Sequence, residues 1–302
     1  MKAYVVLATK GRPSDIPVIL DLMKTQTMKP DHVVVVGTSE EDLGNGRRMA
    51  EDDSTISFEI SKRPGLPIQR NVGIEAILKL HGSEDNAFFI AYFDDDYRPQ
   101  SDWIEQAYTT FQDQDIVGMT GWVLADGITG PGINEAVAKR YLSGELPPEP
   151  HESRSHIGQS LESAYGCNMA FNGAVTRAYR FDEHLPAYGW LEDRDYTGQA
   201  LAQGRVIGVG ACKGVHLGTK SGRVSGVKFG YSQIANPVFL ARKGTMKWRH
   251  SARMMGRNIF ANHAKTIRPE AWVDRKGRMK GNWMGLFDWV RGRIHPERIN
   301  DF

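Results

Sequence analysis

The sequence predicts an α/β fold: a largely parallel, doubly wound sheet flanked by helices and continued by a basic helical extension. Three observations carry that reading. The first hundred residues alternate short apolar runs with segments of helical periodicity. Residues 87–93 form an aromatic-rich apolar run suited to a strand buried on both faces, and it stops at Asp94, Asp95 and Asp96. From Arg242 onward about fifteen Lys and Arg face about five Asp and Glu, so a tail near +10 follows a body near −8, although the chain as a whole carries only +2.

In order, residues 4–8 read as a strand, followed by the turn Thr9, Lys10, Gly11, Arg12, Pro13. Ser14 and Asp15 open a helix whose apolar positions Ile16, Ile19, Leu20 and Met23 recur at helical spacing. Residues 33–36 form a second buried strand ending at Gly37, Thr38 and Ser39, which makes a strand, helix, strand unit with a right-handed parallel connection. A third strand spans residues 56–60. Gly65, Leu66 and Pro67 then lead into a helix carrying Gln69, Arg70, Asn71, Ile74, Ile77 and Leu78. After the acidic triplet come a helix from Trp103 to about Gln112 and a strand over residues 116–123. Residues 126–165, punctuated by glycine and proline, read as a mobile excursion over the sheet edge with one short helix near 136–142. Order returns over 165–171. Glu192, Asp193, Arg194 and Asp195 open a helix ending near Gly204, and two short strands, 206–209 and one reaching Val215 and His216, close this part. The tail shows two helical stretches, 227–243 and 247–263, and then a basic segment bearing Trp272, Trp283 and Trp289. Residues 1–226 are expected to form one domain and 227–302 its extension.

With 40% hydrophobic and 25% charged residues over 302 positions, the composition is that of an ordinary globular protein. There is no apolar run of membrane-spanning length, and the N-terminus enters a strand without the features of a signal peptide, so a cytoplasmic location is expected. Cys167 and Cys212 are too few and too far apart for a metal knuckle and are expected to be free thiols.

Three adjacent carboxylates repel one another, so their clustering at the end of a buried strand calls for a cation, and hard oxygen ligands suit Mg2+ or Mn2+. The carboxyl ends of the strands are also where open α/β sheets bind ligands. Taken alone, Asp94–Asp96 could equally be a solvated turn ahead of the helix near Asp102.

Five signals in order resemble a family 2 glycosyltransferase of the GT-A fold: the Thr9–Pro13 turn after the first strand, Gln69-Arg70-Asn71, the Asp94-Asp95-Asp96 triplet in place of a DxD motif, Gly166-Cys167-Asn168-Met169-Ala170-Phe171, and Glu192-Asp193-Arg194-Asp195-Tyr196 followed by Gly204. The resemblance covers roughly residues 3–220. It implies an inverting, metal-dependent transfer of a hexose from a nucleotide-diphosphate sugar, with a UDP-sugar expected, to a hydroxyl of a glycan or lipid-linked acceptor in bacterial surface polysaccharide synthesis. Asp96 would be the principal ligand of Mn2+ or Mg2+, and His216 would complete the shell or serve the structure alone. Asp94, Asp95, Thr9, Arg12 and Arg70 would face the nucleotide. Asp193 would be the general base that takes the acceptor's proton, with Glu192 orienting the acceptor or stiffening the site. The alternatives are that Arg70 is a surface residue of an amphipathic helix, and that the acids at 192, 193 and 195 merely complement a helix dipole.

The second strand lacks the aspartates common at its end in that family, so contact with the base falls to the Thr38 and Ser39 hydroxyls, Glu40 or the backbone. Residues 219–226, with Lys220 and Arg223, have the composition of a loop able to fold over a diphosphate, or of a plain surface loop. The basic, Trp-bearing tail fits peripheral contact with an anionic membrane or a lipid-linked acceptor, and fits a structural cap or oligomer contact as well. No nucleic-acid motif accompanies it. Two other functions stay open at this point: nucleotidyl transfer onto a sugar phosphate, which favours a glycine-rich phosphate loop that Lys10-Gly11-Arg12 renders poorly, and a non-catalytic module that binds nucleotide sugar.

Overall fold

Eight strands form one sheet. In chain order they are β1 (Lys2–Ala8), β2 (His32–Gly37), β3 (Ile56–Ile60), β4 (Phe88–Asp94), β5 (Tyr97–Pro99), β6 (Ile116–Asp126), β7 (Asn168–Asn172) and β8 (Arg205–His216). They lie side by side as β3, β2, β1, β4, β7, β6, β8, β5 in a computed structural model that describes all residues except 52, 84 and 221–224. The first four strands in that order are parallel, β7 runs antiparallel to β4 and β6, β6 and β8 are parallel, and β5 is an antiparallel edge. The sheet is therefore mixed but mostly parallel.

The helices of this part are α1 (Asp15–Lys24), the single turns α2 (Glu40–Leu43) and α3 (Gly46–Met49), α4 (Leu66–His81), α5 (Trp103–Thr110), α6 (Glu135–Leu142), the short α7 (Glu152–Ser155) and α8 (Gly173–Ala178), and α9 (Glu192–Ala200). Side chains alternate across a strand, so a strand that is apolar at every position must be covered on both faces. Ala3, Val5 and Leu7 of β1 and Phe89, Ala91 and Phe93 of β4 pack on one face with α1 and α5. Tyr4 and Val6, with Phe88, Ile90 and Tyr92, pack on the other with α4 and α9.

Two segments differ from the sequence expectation. Residues 126–165 are laid along the sheet: Ile157 and Ser160 bridge to Gly208 and Ile207, and the Val123 N–H donates to Ser153 Oγ at 3.0 Å. A Cβ on Gly208 would lie 2.3 Å from the His156 carbonyl oxygen, so glycine there lets the crossing segment approach. Strand β8 is one twelve-residue strand in place of two, its register against β6 shifting at irregularities.

The tail contains α10 (Gly226–Lys243), α11 (Trp248–Lys265), a third helix α12 (Arg275–Val290) not expected from the sequence, and a closing 3-10 turn (Pro296–Asp301). Gly277, Gly281 and Gly285 depress helix propensity in α12. They lie on its buried side, and a Cβ on Gly281 would stand 2.1 Å from the Val227 carbonyl oxygen of α10. Close packing against α10 thus overrides propensity. Tyr231, Ile234, Val238 and Met255 form a separate core there. Lys243 pairs with Asp182 and buried Asp195, and Asn236 Nδ2 donates to the Trp190 carbonyl at 2.7 Å, which ties α10 to the body next to α9.

Candidate active site

The site lies where β4, β6 and β8 end. Strand register brings Asp126, the last residue of β6, opposite His216, the last residue of β8, while Tyr97 of β5 pairs with His216 from the other side. The turn between β4 and β5 carries Asp95 and Asp96 into this gap.

The alternation of β4 distributes the triplet. Asp94 continues the Phe88, Ile90, Tyr92 phase, which faces α4 and α9, and there it meets Arg70 Nη2 of α4 at 3.1 Å. Asp95 continues the opposite phase, toward α1. Thr9 Oγ1 donates to its Oδ2 at 2.8 Å and Arg12 Nη1 to its Oδ1 at 2.6 Å. Burial, opposed by Arg12 and reinforced by the charge on Asp96, pushes the Asp95 carboxyl up to about 7. Asp96 goes the other way: although it is buried, His216, Arg12 and the Thr219 N–H hold it well below the usual carboxylate range.

Asp94, Asp96 and His216 each offer a ligand atom, all within 4.8 Å of one another. Buried Asp96 Oδ1 has no hydrogen-bond partner among the described residues, with His216 Nε2 3.4 Å away. An unsatisfied buried carboxylate oxygen is costly, and a divalent cation would satisfy it. Two carboxylates and an imidazole fit Mn2+, or Mg2+ with more of its shell supplied by phosphate and water.

Behind this group stands Asp126, which the sequence reading missed. Its Oδ1 lies 3.0 Å from His216 Nδ1, and its Oδ2 accepts from Tyr165 Oη at 2.7 Å and lies 3.3 Å from His151 Nε2. Burial alone would lower the His216 pKa, but the hydrogen bond to Asp126 and the charges of Asp126 and Asp96 outweigh it and push the ring up to about 10. A carboxylate closing an apolar strand is the pattern that drew attention to Asp94, and 116–126 repeats it.

Asp193 and Glu192 open α9 beside Gly166. The Gly166 N–H donates to Asp193 Oδ2 at 2.9 Å and the Arg194 N–H to Oδ1 at 2.7 Å. A Cβ on Gly166 would stand 3.0 Å from Glu192 Oε1 and 3.2 Å from Asp193 Oδ2, so a larger residue there would push against both acids. Burial raises the Asp193 pKa against the pull of these N–H groups. Arg70 is 1% exposed. Its Nη1 binds Glu192 Oε1 at 2.5 Å while Nη2 reaches Asp94 and the Gly166 carbonyl. Burial pushes the Glu192 carboxyl up to about 8 against the pull of Arg70, while the guanidinium, set between Glu192 and Asp94, keeps its proton. Arg70 is thus a buried counter-ion bridging both acidic groups, not an exposed helix residue.

The remaining expected contacts fall around this centre. The hydroxyl and N–H of Thr38, the N–H of Ser39 and the N–H of Gly11 all converge on Asp42, a residue whose only sequence signal is its place three after Ser39 in a capping box. Gln69 Nε2 donates to the carbonyls of Thr9 and Val36, pinning the ends of β1 and β2 together. Glu40 pairs with Arg47 at the surface. Lys220 Nζ reaches the carbonyls of Gly127 and Ile128, and Arg223 lies outside the described residues.

No family model matches this chain, and no curated protein matches its sequence. Solved structures do resemble it. Staphylococcus aureus TarS 1-349 matches with a TM-score of 0.57 at 15% identity, covering 100% of this chain and 83% of that one. The mannosyltransferase PcManGT from Pyrobaculum calidifontis, in complex with GDP-Man and Mn2+, gives 0.53 at 13% identity, covering 99% and 84%. GalNAc-T7 with UDP, GalNAc and Mn2+ gives 0.56 at 13%, covering 97% and 57%. The fold is GT-A. The Asp94, Asp96 and His216 group sits at the carboxyl ends of the strands, where open α/β sheets bind their ligands.

Proposed function

We propose that this protein is an inverting, metal-dependent glycosyltransferase that moves a hexose from a nucleotide-diphosphate sugar, by preference a UDP-sugar, to a hydroxyl of a glycan or lipid-linked acceptor in bacterial surface polysaccharide synthesis. The observation that carries this reading is Arg70, whose one guanidinium joins Asp94 of the cation-binding group to Glu192, the neighbour of Asp193. Carboxylates for the leaving group and for the acceptor thereby share one buried scaffold. Structures of the same fold have been solved with GDP-Man and Mn2+ and with UDP-GlcNAc, which supports a nucleotide sugar as donor.

Asp94, Asp96 and His216 would hold Mn2+ or Mg2+, which neutralises charge on a departing diphosphate. Asp193, fixed by two backbone N–H groups, takes the proton of the acceptor hydroxyl as that oxygen attacks the anomeric carbon and the bond to the diphosphate breaks. One such displacement inverts the anomeric centre. The Glu192 and Arg70 pair stiffens the site beside Asp193. Thr9 and Arg12 fix Asp95 behind the phosphates, and the Thr38 and Ser39 segment, with Lys220, borders the nucleotide.

The test is incubation with Mn2+ and a panel of nucleotide sugars. Release of a nucleoside diphosphate, lost on adding EDTA, is the expected result. Release of pyrophosphate points to nucleotidyl transfer, and binding with no release points to a non-catalytic module; either overturns the reading.

A further inference from the structure

We propose that the outer face of α11 and α12 is a docking surface for an anionic lipid bilayer. On α11, Arg249, Arg253, Arg257 and Phe260 are exposed at spacings of three and four, and on α12 so are Lys276, Lys280, Trp283 and Phe287, with Arg291 at its C-cap. The opposite sides of these helices are consumed inside the tail by Ser251, Met255 and Asn262 and by the glycine row against α10. Two contacts hold the helices side by side: Trp283 Nε1 donates to His263 Nε2 at 3.0 Å, and Trp248 stacks on Trp289 with ring centroids 6.5 Å apart.

Apolar exposure on this face is large. Phe260 is 75% exposed, Trp283 59%, Phe287 53% and Val290 88%. Four large apolar side chains exposed this far on two adjoining helices mark a contact surface. The charge on the same face says what covers it. Among residues 247–293 the acids are Glu270, Asp274 and Asp288, and all are engaged within the tail. Glu270 pairs with Lys265 and Arg275, Asp274 caps the Gly277 N–H at the start of α12, and Asp288 pairs with Arg293 and Arg298. Arg249, Arg253, Arg257, Lys276 and Lys280 are left facing outward with no carboxylate at ion-pair distance among the described residues. Cations interleaved with Trp and Phe on one helical face suit the boundary between phosphate headgroups and acyl chains, where aromatic rings sit and basic residues meet anionic lipid. A nucleic acid would use the charges and leave Phe260, Phe287 and Val290 unexplained.

The inference stands apart from the transferase reading, because its test needs no turnover. The full chain is mixed with sucrose-loaded vesicles of phosphatidylcholine alone, or containing one part in three phosphatidylglycerol, and sedimented while tryptophan fluorescence is followed. Binding to the anionic vesicles at least about tenfold tighter than to the neutral ones, with a blue-shifted emission and weakening in salt, is expected, since each basic residue near such a surface contributes roughly fivefold. Trp283→Ser with Phe287→Ser leaves the charge unchanged and should weaken binding by about tenfold or more through lost apolar insertion. Should that variant fail to fold by circular dichroism, Lys276→Glu with Lys280→Glu, on the exposed side, carries the test alone and should lose at least about twentyfold from two lost attractions. Equal binding to neutral and anionic vesicles overturns the proposal. So does a folded serine variant that binds like the unaltered chain, or a dimer in sedimentation velocity that the serine variant abolishes.

Discussion

Asp126 Oδ1 stands 3.0 Å from His216 Nδ1, and that contact turns the other ring nitrogen toward Asp96. A histidine that gives one ring N–H to a carboxylate has its tautomer and its plane fixed, and its second nitrogen becomes the better ligand. Asp126→Asn should therefore weaken Mn2+ binding by about 10- to 100-fold. Titration of free Mn2+ by electron paramagnetic resonance checks this without reference to turnover. Unchanged affinity would make the Asp126, Tyr165 and His151 network a purely structural one.

Asp96 brings an unsatisfied buried oxygen to the same point. Asp96→Ala should abolish the dependence of nucleotide diphosphate binding on Mn2+, whereas in the unaltered protein EDTA should remove most of that binding. Calorimetric titrations with and without EDTA read this directly. Full affinity in the variant would show the triplet to be a turn and nothing more.

Asp193→Asn keeps the shape of the side chain and removes its basicity. Transfer should fall by about 10²- to 10⁴-fold while nucleotide and metal binding stay near native. The pH profile carries a second signature. Burial raises the Asp193 pKa from its ordinary 3.8, so the carboxylate takes up its proton at a higher pH than a free aspartate does, and transfer should fall with decreasing pH above 3.8. Turnover within about tenfold of the unaltered protein would move the base elsewhere, to Glu192 or Asp195.

Arg70 holds two carboxylates in a dry site. Arg70→Met leaves Glu192 and Asp94 facing each other without a counter-charge and should destabilise the fold by about 3–5 kcal/mol. Denaturant unfolding measures it, and adding Glu192→Gln to the same variant should recover part of the loss. A fall of under about 1 kcal/mol in Arg70→Met, the scale of an exposed ion pair, would contradict the buried-bridge description.

Gly281 sits where α10 and α12 meet. Gly281→Val puts a branched side chain where even a Cβ would lie 2.1 Å from the Val227 carbonyl oxygen, so α12 must move or detach. Loss of helical ellipticity in the tail, with thermal unfolding of the body little changed, is the expected outcome.

The β/α alternation of the first hundred residues, the buried strand 88–94 and the acidic cluster at its end were legible in the sequence, because hydrophobic period and the abrupt change from apolar to charged are local properties. Asp94, Asp96, His216 and Asp193 were candidates through a resemblance in their order along the chain, and the fold brings the first three together. What tertiary structure alone decided was partnership. That Asp126 backs His216 depends on the register of β6 against β8, some ninety residues apart. That Arg70 is an internal bridge depends on α4 and α9 covering the same face of the sheet, where strand alternation has placed Asp94 but not Asp95. Helix α12 was illegible for a related reason. Its glycines read locally as breakers, and only the backbone of α10 lying against them turns the missing side chains into a packing surface.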